Sequence, residues 1–499
     1  MKKLLIYSLM LVLLYATSCK KINEGINVDP NNPTGVGARY DLLINGAQVS
    51  SVLFYEGSLA RLGGMWTRTF TGSDRQYTSL YNYETTSGDY DDNWTRLYAV
   101  ILPNAKLAER QAAELSIADK TTMGISEVMQ AQGLGTAADL WGDIPFTEAG
   151  DPIAFPKPKF DPQLQVYTGV QNLLTTAIAN FAANQGGSGP GAKDIFYAGS
   201  RAKWTAAAYT LKARFYLHTK EYDKAITNAL LGITSAANNM RAPHGGTYGK
   251  DFNVYYSFLS YDRPAYMNAS GSFAANLLRP GGVTYLRNAK TNEGDRYNYL
   301  FQTGLNTADL DPNVLWGPDW GNPSSQDGFF SAVNSFPLVT WQENQLILAE
   351  AYMKQTTPDP TSAITALNTV RAYYATGGSA NTGTDLSTGY ASSGLKYDPY
   401  LIIDFLSGGI TNPVASGQTQ NQALLREILV EKYLTLVGQL EQFNDVRRTK
   451  SYLGITPVKG TKLPQRFLYA QSEINTNPNT PAVTIADLFK ETPVNTTPY

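Results

Sequence analysis

A chain of 499 residues with a formal net charge of −2 and only 16% charged residues has no basic stripe for neutralising phosphates, which argues against nucleic acid as a partner. One cysteine excludes an internal disulfide, and a mean hydropathy of −0.26 with no long apolar run after residue 19 excludes a membrane-spanning mature chain. The length exceeds the usual single-domain range, yet no Pro/Gly/Ser linker divides it.

The N-terminus reads Met1-Lys2-Lys3, then an apolar run from Leu4 to Tyr15, then Ala16-Thr17-Ser18 ahead of Cys19. That is a charged n-region, an apolar h-region too short to cross a bilayer, and small residues before a cut. The one thiol falls where lipidation needs it. Residues 1–18 are therefore expected to be a lipoprotein signal peptide and 19–37 a lipidated tether. A plain signal peptide that happens to contain a cysteine is the alternative. Acyl chains contribute about 0.8 kcal/mol per buried CH₂, so stable anchoring takes two or more.

Residues 38–499 read as one mainly α domain. Helical spacing is predicted over Tyr40–Phe54, Trp94–Ala113, Met123–Leu140 and Leu164–Phe181. A glycine-rich turn, Gln185 to Gly191, follows without a preceding strand, so it is not a phosphate loop. Trp204, Ala207, Ala208, Leu211 and Phe215 form one apolar face; Tyr222, Ala225, Ile226, Ala229 and Leu230 form the next. Two short amphipathic helices joined by a tight turn are a tetratricopeptide-like unit, and Leu346–Tyr352 with Ala363–Val370 repeats it. Between the pairs, from about 240 to 336, aromatics are scattered among Gly, Asn, Asp and Pro, which predicts a long irregular insertion of functional character.

Catalytic and metal signatures are lacking in the sequence. His218 is expected to meet its own helix C-terminus and His244 to lie in a turn beside Gly245-Gly246. Neither has a ligand partner at metal-binding spacing. Asp309-x-Asp311-x-Asn313 opens like a calcium loop but continues with Val314 and Trp320 where Gly and Glu are needed. No cofactor is implied.

Several segments together resemble the SusD/RagB family of outer-membrane nutrient-binding lipoproteins. They are Trp94-Thr95-Arg96-Leu97-Tyr98 with Asn104, Asp139-Leu140-Trp141-Gly142-Asp143 and Lys203-Trp204 with Leu211-Lys212-Ala213-Arg214. Phe336-Pro337 leading to Leu348-Ala349-Glu350, Glu431-Lys432-Tyr433 leading to Asp445-Val446-Arg447-Arg448, and Pro464-Gln465-Arg466-Phe467 with Glu473 complete the order. The resemblance implies a helical lipoprotein at the outer membrane, displayed on the cell surface. It would hold oligosaccharide or peptide fragments above a SusC-like TonB-dependent channel, without being an enzyme. Two departures matter. Glu431-Lys432-Tyr433 followed by Gly438-Gln439-Leu440-Glu441 marks a divergent branch, so the ligand is not copied from starch-binding members. Lys20-Lys21 stands where surface-displayed relatives carry acidic residues.

A sugar ring has an apolar face and a hydroxyl rim, and is matched by an exposed aromatic flanked by polar groups. Two clusters fit: Arg75 to Tyr83, expected on a loop between helices, and Trp316 to Gln326. Tyr81, Trp316 and Trp320 are the expected platforms, with Arg75, Asp319 and Asn322 as polar contacts. Two rival readings remain: a docking or gating subunit without ligand affinity of its own, and a hydrolase using a carboxylate pair.

Overall fold

Helices dominate the computed structural model, which describes residues 39–279, 285, 287–303, 313–315, 328–378 and 395–499. Cys19, the leader and tether, and Asp309 and Asp311 lie outside the described residues. The first half comprises α1 (Tyr40–Glu56), α2 (Ser58–Trp66), α3 (Arg75–Tyr81), α4, α5 (Lys120–Trp141), α6 (Gln163–Ala183), α7 (Arg201–His218) and α8 (Tyr222–Ala229). Here α4 is an unbroken run of Asp91–Thr95, a π turn Arg96–Ile101, and Leu102–Ala113. Pro103 explains the π turn. It lacks an N–H, and its ring crowds the carbonyl one turn back, so the helix widens just before it.

The expected helices are all present, with ends set by local chemistry. α5 starts three residues before Met123 because Asp119 accepts hydrogen bonds from the backbone N–H of Thr121 (3.1 Å) and Thr122 (3.2 Å). It stops where Gly142 takes φ 84°. α5 is buried nearly all round, as a central helix must be. At Gly135 a Cβ would lie 2.3 Å from the Phe215 ring, so glycine there permits the close approach of α7.

The second half adds α9 (Val254–Ser257, continued by a π turn Phe258–Asp262), α10 (Phe273–Leu278), α11 (Gly294–Leu300), α12 (Trp341–Lys354) and α13 (Pro360–Ala375). α14 (Gln420–Thr435), α15 (Leu440–Arg448) and α16 (Gln471–Thr476) follow. The pairs α7/α8 and α12/α13 pack internally, and α8 packs on α12, so the two tetratricopeptide-like units stack. Strands are few and short. β1 (Thr71–Gly72) pairs with β3 (Met267–Asn268), β2 (Met240–Ala242) with β7 (Phe336–Val339), β4 (Thr291–Asn292) with β8 (Lys396–Tyr397), and β5 (Phe301–Thr303) with β6 (Asn313–Leu315), all antiparallel. The irregular insertion is thus stitched to the scaffold by β2–β7 and β1–β3. Most buried apolar side chains form one main cluster from Leu43 to Val494 that includes both parts.

The scaffold is laced by buried charges. Arg214 on α7 makes a two-pronged ion pair with Glu343 on α12, both contacts at 2.6 Å. Arg448 on α15 grips Glu350 on α12 at 2.6 and 2.7 Å, and Lys432 on α14 reaches Glu350 (3.2 Å) and Asp445 (3.1 Å). Arg287 and Arg296 converge on Glu431 of α14 at 3.2 and 2.6 Å. His218 departs from expectation. Rather than meeting its own helix end, it is buried between Asp139 of α5 (Nδ1, 2.8 Å) and Glu441 of α15 (Nε2, 2.7 Å). Both partners are acceptors, so the ring must donate from both nitrogens, which requires the imidazolium form.

Candidate functional site

The site is built on the start of the insertion, where Glu56 at the end of α1 fixes the chain. Its buried carboxylate meets His244 Nε2 at 2.8 Å and accepts from the backbone N–H of Val254 at 2.8 Å. Burial alone would lower the pKa of His244, but the Glu56 carboxylate outweighs it and holds the imidazole above its ordinary value. Between these anchors Asp251 closes a turn by accepting from Thr247 N–H at 2.8 Å. Asn253 caps α9 by accepting from the N–H groups of Tyr255 (3.0 Å) and Tyr256 (3.1 Å).

The π turn after α9 carries Tyr261 back against Tyr248. Their rings stack at 4.4 Å and 30°, and they stay 46% and 54% exposed. Beneath them Phe252 and Tyr256 form a small buried cluster separate from the main core. Asp262 sits at the rim, accepting from Ser257 Oγ at 3.1 Å and lying 3.5 Å from Tyr248 Oη. The result is an outward-facing aromatic shelf with hydroxyl and carboxylate groups at its edge.

Arg75 and Tyr81 lie on the short helix α3 instead of a loop, because Asp74 caps its first turn. Tyr77, between them, is buried against Phe258 (4.9 Å) and Tyr266 (6.0 Å). Arg61 covers the Phe258 ring at 4.2 Å and donates to Tyr77 Oη at 3.0 Å. Arg75 is exposed, and its guanidinium and that of Arg263 both lie 5.8 Å from the half-buried Tyr266 ring. Arg75 (φ 43°) and Ala265 (φ 64°) hold left-handed conformations without being glycine, a cost of about 1–3 kcal/mol each that a surrounding structure must impose. Tyr81 is half-buried against the core, with Arg68 at 5.9 Å, and is less open than expected of a platform.

Trp316, Asp319, Trp320 and Asn322 lie outside the described residues. The backbone of β6, which ends at Leu315, lies beside β3, and β3 pairs with β1 just before α3.

Tyr248 and Tyr261 were legible only as two of many insertion aromatics. No spacing rule marks residues thirteen apart that meet through a cap, a turn and a π bulge. Elsewhere a cavity of 610 Å³ lies against Ile455, Leu463 and Phe489, and two of its three lysines are engaged, Lys450 with Glu491 and Lys490 with Asp487. It presents no stacked aromatic and is not the better candidate. Among the described residues, Asp139, His218 and Glu441 are the one group whose potential metal ligands lie within 4.8 Å of one another. Both imidazole nitrogens there already face carboxylates, the geometry of an ion clamp.

A tetratricopeptide-like helical scaffold laced by buried ion pairs, with an irregular aromatic insertion on it, defines a class of helical-repeat protein. Residues 40–469 match the SusD-like family described as starch-binding and associating with the outer membrane, and the chain belongs to that family. A SusD/RagB family protein from Bacteroides thetaiotaomicron superposes with a TM-score of 0.63 at 20% identity, covering 92% of this chain and 98% of the other. A chitin-binding SusD homolog from Flavobacterium johnsoniae gives 0.58 at 16% identity, covering 87% and 92%. A comparison with curated proteins finds no match. No helix among the described residues is long and apolar enough to cross a membrane.

Proposed function

We propose that this protein captures oligosaccharides at the outer membrane for uptake through a partner TonB-dependent channel, without catalysing a reaction on them. The observation that carries the reading is the Tyr248–Tyr261 stack, open to solvent and rimmed by Asp262, on a chain whose family is described as starch-binding. A sugar's apolar face lies on the ring while its hydroxyls meet the carboxylate, and Arg263 and Arg75 extend the rim. Trp316 and Trp320 would add platforms, and Tyr81, Asp319 and Asn322 further contacts, to the same surface. That a SusD homolog of similar fold is chitin-binding supports a glycan over a peptide. Cys19 would carry the lipid anchor that keeps the domain on the cell surface.

The test is binding of the chain to a panel of oligosaccharides and peptides, repeated with Tyr248→Ala/Tyr261→Ala and Trp316→Ala/Trp320→Ala. Covering one ring face, at roughly 25 cal/mol per Å², contributes about 1–1.5 kcal/mol, so losing two rings weakens binding on the order of 30- to 150-fold. Unchanged affinity in the tyrosine pair would remove the shelf from the site, and unchanged affinity in the tryptophan pair would remove that cluster. A folded protein that binds nothing on the panel yet co-purifies with a channel would instead establish a docking or gating role. Product release from a polysaccharide would establish a hydrolase.

A further inference from the structure

Between α13 and α14 the chain makes a surface segment, residues 401–417, unlike the rest of the surface. Leu401, Ile402, Ile403, Leu406 and Val414 are 44% to 74% exposed. The segment's one charged residue, Asp404, is turned inward, where it pairs with Lys290 at 2.7 Å and accepts from Leu401 N–H at 2.7 Å. A soluble surface of this length ordinarily carries about four or five charged residues. Here none is exposed.

The segment is also built to be dry. Asp404 N–H donates to Leu401 carbonyl (3.0 Å), Gly409 N–H to Leu406 (2.7 Å), Gly408 N–H to Asn412 (2.8 Å) and Thr411 N–H to Asp404 (3.0 Å). The buried Asn412 amide donates to the carbonyls of Phe405 (2.9 Å) and Gln418 (3.1 Å). Phe405, fully buried against Tyr400 at 5.3 Å, pins the segment from below. These pairings reduce the number of backbone polar groups that must lose water when the segment enters an apolar phase.

We infer that residues 401–406 and Val414 form an apolar tip that inserts into the lipid surface beside the protein. Three features select lipid over a protein partner. The exposed large side chains are all aliphatic, whereas protein hot spots are enriched in Trp, Tyr and Arg. The tip exposes no charge to fix register with a partner, since its one carboxylate is turned inward to Lys290. The family's description, associating with the outer membrane, also puts a lipid surface within reach. A lipid anchor alone would leave the domain free to tumble. A second, apolar contact fixes which face looks outward.

The test places an indole at the tip, Ile403→Trp, in the mature protein bound to vesicles of zwitterionic phosphatidylcholine with brominated acyl chains. The difference spectrum against wild type isolates the added indole. Insertion predicts a blue shift, quenching by the bromines at least twofold above the wild-type background, and no loss on raising salt. An added indole that stays red-shifted and unquenched on vesicle-bound protein overturns the inference and returns the tip to a protein partner. Quenching abolished by salt also overturns it, because an uncharged tip has no electrostatic attraction to screen.

Discussion

Replacing His218 by Gln tests the buried charge lacing at its most exacting point. The imidazolium joins three helices through Asp139 at 2.8 Å and Glu441 at 2.7 Å, with side chains 3%, 6% and 7% exposed. Arg214 stands 3.8 Å from Glu441, and Tyr167 and Asn444 donate to Asp139 at 2.5 and 3.4 Å. Removing the cation leaves two buried carboxylates undercompensated, which costs about 3–5 kcal/mol. The pH dependence gives a sharper signature. Burial alone would lower the pKa of His218, but the two carboxylates carry it from 6.5 up to about 9. A raised folded value means the stabilisation is complete below the unfolded value of 6.5 and is lost as pH rises through 9. At about 1.36 kcal/mol per pH unit the span is about 3 kcal/mol. Denaturant titrations of wild type and His218→Gln should therefore differ most just below about pH 6.5, less as pH rises, and converge above about pH 9. A gap below about 1 kcal/mol, or one that does not shrink with alkalinity, refutes an imidazolium clamp.

Two further predictions concern single carboxylates. Glu127 on α5 is buried, with Asn180 donating to both its oxygens at 3.0 and 2.8 Å, and burial pushes its pKa from 4.5 up to about 8. Ionisation is then a burden that grows as pH rises above 4.5, so Glu127→Gln should stabilise the fold by about 1–3 kcal/mol near neutrality and by nothing in acid, read by denaturant midpoints. Glu56→Gln should weaken ligand binding by releasing His244 and Val254, and should flatten its pH dependence. In wild type the clamp is complete below the ordinary imidazole value of 6.5 and slackens as pH climbs through the raised value of the folded state, so affinity should fall toward alkaline pH in a fluorescence titration.

The sequence motifs that carry the family resemblance are almost all parts of the scaffold. Arg214, Glu350, Lys432, Asp445 and Arg448 are ion-pair partners buried between helices, and Arg447 donates to the Asp139 carbonyl at 3.0 Å. Trp94 Nε1 donates to Glu473 at 3.0 Å, and Trp141 Nε1 to the Leu468 carbonyl at 2.8 Å, joining the early helices to the C-terminal segment. Such groups tolerate little substitution because each leaves a buried partner unpaired, so they stay readable in a divergent chain. Helical periodicity was legible for the same reason: one face must be apolar. The aromatic shelf was not. Its geometry depends on Asn253 capping a one-turn helix and on a π turn, features no apolar period announces. The insertion's character was readable in its composition, while the pairing of Tyr248 with Tyr261 was not.

The open form of the shelf also sets what it can bind. A pocket covers most of a small ligand's surface, but the Tyr248–Tyr261 stack offers a face and leaves the other side of a sugar in water. One sugar ring on one tyrosine gains about 1–1.5 kcal/mol from area, less than the cost of immobilising it. Affinity then requires several contacts paid for by a single loss of translational freedom, as when successive units of one chain meet Tyr248–Tyr261 and Tyr266 with its arginines. The expected outcome is no detectable binding of a monosaccharide, binding that strengthens steeply with chain length, and a plateau once the chain spans the surface. Calorimetry with a length series of one oligosaccharide measures this directly. A monosaccharide bound as tightly as its oligomers would contradict an open shelf and require an enclosed pocket.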